Sequence, residues 1–89
     1  MDFDYYYLGP LAAGRYVAVQ INQQAYVVLA DTDNLRAFLQ RRAYRHYGRL
    51  QSYREERYRI PYPGEWHILV TVSAPAASVR SKIRFVPNV

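Results

Sequence analysis

The sequence predicts a small all-β domain, either a β-sandwich or a barrel of six to eight mostly antiparallel strands, with one short helix. Three observations indicate this fold. Short apolar runs alternate with polar residues, turn-forming residues recur roughly every eight to twelve positions, and only one segment has helical spacing. The 89 residues have room for one hydrophobic core, so residues 1–89 are expected to form a single domain.

Two strands are predicted in the first half of the chain, after an aromatic opening segment. Val17, Val19 and Ile21 alternate with more polar neighbours, which is typical of a half-buried strand. Residues 22–24 are expected to form the hairpin turn into the next strand. In residues 25–30 both alternating sets are apolar, and this pattern predicts a central strand covered on both faces.

One helix is predicted near residues 33–41. Three apolar residues share the i, i+3, i+4 spacing of a single helix face: Leu35, Phe38 and Leu39. Asp31 or Asp33 can cap its N-terminus, and the arginines at 41 and 42 suit the negative end of the helix dipole. So few apolar positions indicate a helix that covers a sheet.

Strand patterns return in the second half of the chain. Pro61 marks the end of a strand or an edge strand. Residues 66–72 alternate most clearly, with His67 expected to face solvent. The last strand has a cationic face made of Arg80, Lys82 and Arg84. The favoured interpretation of these charges is an edge strand protected against pairing with other strands, and they could also extend a basic patch.

Residues 41–59 dominate the electrostatics of the chain. They contain seven arginines, four tyrosines and one histidine against two carboxylates, Glu55 and Glu56, and this difference of five equals the formal net charge of +5. Such a segment indicates an anionic partner. The candidate ligand-binding residues are Arg41, Arg42, Tyr44, Arg45, His46, Tyr47 and Arg49.

Arginine and tyrosine in this pattern suit a phosphate-bearing ligand. The planar guanidinium group contacts phosphates through two parallel hydrogen bonds, and tyrosine rings stack on bases. We therefore expect a non-enzymatic binding or sensing module for an anionic, nucleotide-like small molecule. A solvated basic face and a non-specific nucleic-acid binder remain alternatives. The latter is less favoured because Glu55 and Glu56 would repel a continuous phosphate backbone.

No catalytic site, metal site or cofactor is predicted. The chain has no cysteine, no phosphate-binding glycine motif, and no serine nucleophile in a recognisable arrangement with its two histidines. The N-terminus does not resemble a signal peptide, and no apolar run approaches the roughly 20 residues that span a bilayer. These features predict a soluble, cytoplasmic protein with no membrane partner.

The aromatic N-terminal segment supports a different class of function. Tyr5, Tyr6 and Tyr7 would place aromatic rings on both faces of a first strand, which is often an edge of its sheet. Exposed aromatics on an edge favour self-association. A self-assembling structural or protein-interaction domain, in the form of a homo-oligomer, is therefore the main alternative to ligand binding.

The order of these features resembles the uncharacterised bacterial family known as domain of unknown function 1883. The resemblance is carried by Leu11-x-x-Gly14, Asp31, Asn34, Tyr47-Gly48, Ile60-Pro61 and Gly64-x-Trp66. It implies an all-β domain that stands alone or is joined to a TIR-type domain, hence a sensing or targeting module, with no established catalytic residue. The chain departs from the family pattern at Arg41 and Arg49, where glycines are expected, and at residues 71–77.

Overall fold

The computed structural model describes residues 3–43, 47–52, 54–71 and 79–87, which form two antiparallel sheets and one helix. The elements are β1 (Phe3–Leu11), β2 (Tyr16–Ile21), β3 (Ala25–Asp31), α1 (Thr32–Leu39), β4 (Tyr47–Gln51), β5 (Glu55–Arg59), β6 (Gly64–Thr71) and β7 (Ser81–Phe85). Sheet A has the order β1-β6-β3-β4, and sheet B has the order β5-β2-β7. The predicted small all-β fold with one short helix is confirmed.

The main core lies between the two sheets. It consists of alternate residues along the strands, whose side chains point inward. Its buried members include Val17, Val19, Val27, Leu29, Tyr58, Ile60, Trp66, Ile68 and Val70. Because both sheets contribute their apolar faces to one cluster, neither sheet can be stable without the other. The alternation in β2 and β6 therefore predicted the correct inward faces.

The predicted hairpin between β2 and β3 is wrong. β2 pairs with β5 and β7, whereas β3 pairs with β4 and β6, so residues 22–24 carry the chain from one sheet to the other. The alternating valines of β2 and β3 face each other across the core instead of lying side by side. A short connection between two apolar strands is compatible with either arrangement, and the burial of both sets of valines selects the crossover.

The helix covers the outer face of sheet A, as its few apolar positions predicted. Asp31 is the N-cap, and its Oδ1 accepts a 2.9 Å hydrogen bond from the backbone N–H of Asn34. Leu35 packs with Val28, Ala30 and Leu69 in a second cluster, and the partly buried Phe38 packs against it. The helix therefore covers the second apolar face of β3. The prediction for Leu39 is wrong, since that side chain is 59% exposed at the end of the helix.

The helix ends in a backbone conformation that usually belongs to glycine. Arg41 has φ of 57°, its N–H donates to the Phe38 carbonyl at 3.1 Å, and the N–H of Arg42 donates to the Ala37 carbonyl at 2.8 Å. These two bonds form a Schellman motif with an arginine at the left-handed position. Arg41 is one of the two positions where the family resemblance led us to expect glycine.

Candidate functional site

The structure separates the described members of the predicted ligand-binding segment. Tyr44, Arg45 and His46 lie outside the described residues. Arg41 and Arg42 are exposed at the end of the helix that covers sheet A. The remaining two members, in β4, contact other side chains of the protein and are described in turn below.

Arg49 is engaged by groups on the neighbouring sheet edge. Its Nε donates a 3.0 Å hydrogen bond to Glu56 Oε1, and its guanidinium group lies 4.6 Å from the centre of the Tyr58 ring. The hydrogen bond to Glu56 raises the pKa of Arg49 above its ordinary value. Arg49 therefore joins β4 of sheet A to β5 of sheet B, and a ligand would have to compete with Glu56 for it.

Tyr47 belongs to an aromatic cluster at one end of sheet A. Its ring makes edge contacts with Tyr62 at 6.2 Å and with Trp66 at 6.0 Å between ring centres. The Tyr62 hydroxyl donates to Asp31, and Trp66 Nε1 donates to the Tyr62 carbonyl at 3.0 Å. Burial alone would raise the pKa of Asp31, but the hydrogen bonds from Tyr62 and Asn34 lower it, so the helix cap stays ionised.

A basic cleft with a volume of about 300 Å³ lies at one end of sheet B. It forms where β2 ends and where β5 and β7 begin. Three of its lining side chains are cationic, and none of the lining residues that the structure describes is acidic. The lining consists of Gln20, Ile21, Asn22, Arg54, Arg80, Ser81 and Lys82.

Backbone hydrogen bonds around Asn22 hold the walls of the cleft together. The N–H of Ile21 donates to the Arg54 carbonyl at 2.8 Å, and the N–H of Asn22 donates to the Arg80 carbonyl at 3.1 Å. The Asn22 side chain completes the contact, because its Oδ1 accepts a 2.8 Å hydrogen bond from the N–H of Arg80. The positions of the two arginine backbones are therefore fixed before any ligand arrives.

The sequence identifies the cations of the cleft but does not predict that they lie close together. Arg54 belongs to the basic segment. The favoured interpretation of Arg80 and Lys82 is the protection of an edge strand, which β7 is, and the alternative is an extension of the basic patch. These cations lie close together because β2 pairs with both β5 and β7. No feature of a single sequence specifies that strand order.

The outer face of sheet B continues the positive charge of the cleft. Its outward side chains include Arg57 and Arg59 on β5 and Lys82 and Arg84 on β7, all of them exposed. The one carboxylate among the outward residues of its strands is Glu55, whose Oε1 accepts a 2.9 Å hydrogen bond from Arg84 Nε. Together with Arg54 and Arg80, six cations and one carboxylate give this side +5, the formal net charge of the whole chain.

The prediction that His67 faces solvent is wrong. His67 is 7% exposed, with Nδ1 2.8 Å from the Tyr5 hydroxyl and Nε2 2.9 Å from the Thr32 hydroxyl. Burial lowers the pKa of His67, although Glu65 and Asp31 oppose this shift. His67 lies on the same face of β6 as Leu69, and both are buried because the helix and β1 tyrosines cover that face.

Among residues 3–43, 47–52, 54–71 and 79–87 no group of three or more metal-binding side chains could hold a metal ion. Over the same residues, no helix has the length and apolar character needed to cross a membrane. Comparisons with protein-family models, with curated proteins and with solved structures gave no match. The resemblance to the family of unknown function therefore stays a prediction.

Proposed function

We propose that this protein is a non-enzymatic module that binds a phosphate-bearing anion in the basic cleft. One observation carries the proposal: Arg54, Arg80 and Lys82 line one cleft, and the described lining contains no carboxylate. Several cations lining one concave surface raise the local concentration of anions and can contact several phosphate oxygens at once.

The size of the cleft favours a small ligand. About 300 Å³ is at the lower end of the range for small-molecule sites, and it suits a phosphate chain with part of a nucleoside. Gln20 adds an amide group that can donate to or accept from polar ligand atoms, and the side-chain N–H groups of Asn22 can donate to them. A nucleotide-like signal remains the favoured class of ligand, with Arg54 as the contribution of the Arg/Tyr-rich segment.

The test compares the cleft with the residues that the sequence first suggested. Isothermal titration with inorganic tripolyphosphate and with a nucleoside triphosphate would be carried out on the Arg54→Gln/Arg80→Gln and Arg41→Gln/Arg42→Gln variants. Both variants lose two positive charges, so only the place of the charge differs between them. We expect the cleft variant to bind about tenfold or more weakly, because each phosphate contact contributes roughly 1.5–3 kcal/mol.

The matched variant at the end of the helix should bind within about twofold of the wild type. The opposite ranking would place the ligand near Arg41 and Arg42 and contradict the cleft as its site. Absence of binding by the wild-type protein at low salt would contradict the proposed function altogether.

Self-association is a second candidate function, favoured by the position of β1. This strand is an edge of sheet A, and Tyr5 and Tyr7 on it are 48% and 53% exposed although their hydroxyls bond to His67 and Glu65. Pairing of two β1 edges would extend sheet A across a homodimer.

Light scattering at several protein and salt concentrations tests the second candidate. A dimer that Tyr7→Ser weakens and Tyr16→Ser leaves intact would support it, since Tyr16 is similarly exposed on sheet B. A wild-type monomer at all concentrations would exclude it.

A further inference from the structure

The outward residues of sheet B form a basic track that begins at the cleft. The central strand β2 turns three uncharged side chains to this face: Tyr16 and Gln20 are exposed, whereas Ala18 between them is 1% exposed. The two flanking strands present the cations. In register, Ala18 lies between Arg57 and Arg84, and Gln20 lies between Glu55 and Lys82.

The dimensions of this track follow from sheet geometry. Neighbouring strands are about 4.8 Å apart, so the cationic rows of β5 and β7 are separated by about 10 Å. Along each strand, outward residues such as Arg57 and Arg59 repeat every two positions, or about 6.6 Å. This repeat is comparable to the distance between consecutive phosphates of an extended single strand. The width is too small to hold a double helix between the rows.

We propose that the outer face of sheet B binds single-stranded nucleic acid, whose backbone follows β2 from the basic cleft towards Tyr16. The proposal rests on the function proposed for the cleft and makes its ligand one part of a longer strand. Charge complementarity supports this occupant, because the cleft and the outer face of sheet B together carry six cations and one carboxylate, an excess of +5. Tyr16 is 41% exposed beside Arg59, and its ring can stack on a base.

Glu55 is the negative side chain that restrains binding on this face. It is exposed on β5 and holds Arg84 in an ion pair whose two side chains are 40% and 52% exposed. Such exposed pairs contribute little to stability, about 0–1 kcal/mol, so a phosphate can take over Arg84 at low cost. Removal of Glu55 should therefore strengthen the binding of a polyanion, and circular dichroism of the variant checks that its fold is unchanged.

The experiment measures the fluorescence anisotropy of a labelled oligothymidylate of about 12 nucleotides, within the range of single-strand site sizes. Competitors are a duplex of the same length, thymidine triphosphate and vesicles rich in phosphatidylserine. Glu55→Gln is compared with Glu65→Gln, which makes the same charge change on β6 of sheet A. Arg57→Gln/Arg59→Gln is compared with Arg41→Gln/Arg42→Gln.

We expect Glu55→Gln to bind the oligonucleotide about threefold to tenfold more tightly, and Glu65→Gln to be unchanged within about twofold. Arg57→Gln/Arg59→Gln should bind about tenfold more weakly. Its slope of log affinity against log salt should fall by about 1.4, at roughly 0.7 for each lost phosphate contact. Its affinity for thymidine triphosphate should not change, because these arginines lie outside the cleft.

Failure of this proposal is distinguishable from failure of the cleft itself. The track is overturned if the oligonucleotide binds no more tightly than thymidine triphosphate. It is also overturned if the Arg57→Gln/Arg59→Gln change leaves the affinity for the oligonucleotide unchanged. Either result leaves the cleft as a mononucleotide site. Stronger binding to the duplex or to the vesicles than to the single strand also overturns the track. If the wild-type protein binds neither the oligonucleotide nor thymidine triphosphate, both proposals are overturned.

Discussion

The hydroxyl of Tyr58 donates a 2.7 Å hydrogen bond to Oε1 of Gln51, and this bond joins the two sheets inside the core. Gln51 is fully buried at the end of β4, and its Nε2 donates to the Val19 carbonyl of β2 at 2.9 Å. Burial raises the pKa of Tyr58 to about 12, so its hydroxyl remains a neutral donor at physiological pH. The pair aligns β4 with sheet B through specific polar contacts.

Tyr58→Phe should destabilise the protein by about 1–3 kcal/mol, because it removes a buried hydrogen bond and its partner amide oxygen cannot reach water. Urea denaturation followed by circular dichroism measures the effect. Tyr16→Phe is the matched control, since Tyr16 is exposed and should change stability by less than about 0.5 kcal/mol. Equal stability of both variants would mean that the bond between Tyr58 and Gln51 contributes nothing.

His67 should make stability depend on pH below neutrality. Its pKa in the folded protein is lower than the unfolded value of 6.5, chiefly because of burial. A lowered pKa means that the contribution is complete above pH 6.5 and is lost as pH falls through the folded value. The denaturation midpoint should therefore fall on acidification, and the fall should be smaller in His67→Gln. Proton NMR of the two histidines checks that the pKa of His67 is lowered. A His67 resonance that titrates above pH 6.5 contradicts this.

Gly48 should tolerate no side chain. A Cβ at this position would overlap the Val27 carbonyl oxygen and lie 2.9 Å from its carbon, in the β3 strand that pairs with β4. Gly48→Ala should cost several kcal/mol or prevent β4 from pairing. Gly64→Ala is the control, because the nearest atom to its Cβ would be Trp66 Nε1 at an ordinary 3.6 Å. Similar melting temperatures for the two variants would show that β3 can move away from β4.

Arg41→Gly should stabilise the protein. Arg41 has φ of 57°, which costs residues with a Cβ about 1 kcal/mol and suits glycine. Arg42→Gly removes the same charge one position later, without relief of a left-handed conformation. The melting temperature should rise for the first variant and stay the same or fall for the second. A rise for both would trace the gain to charge instead of backbone conformation.

Local patterns in the sequence predicted the fold class, the helix and the inward faces of β2 and β6, whereas no pattern predicted β4. Alternation in β2 and β6 identified buried valines and isoleucines, the doubly apolar β3 was a central strand, and Asp31 was the helix cap. These features are local, because side-chain direction in a strand or a helix is set by neighbouring residues. The net charge and its concentration in arginine-rich segments were likewise visible in the sequence.

Contacts between distant parts of the chain depend on the three-dimensional arrangement of the strands. The crossover after β2, the burial of His67 and the convergence of Arg54 with Arg80 and Lys82 all depend on strand order. Strand order follows from the best joint burial of all apolar faces, so residues far apart in the chain decide it. The arginine-rich segments therefore show how much positive charge the chain carries, while the strand order of sheet B places much of that charge on one face.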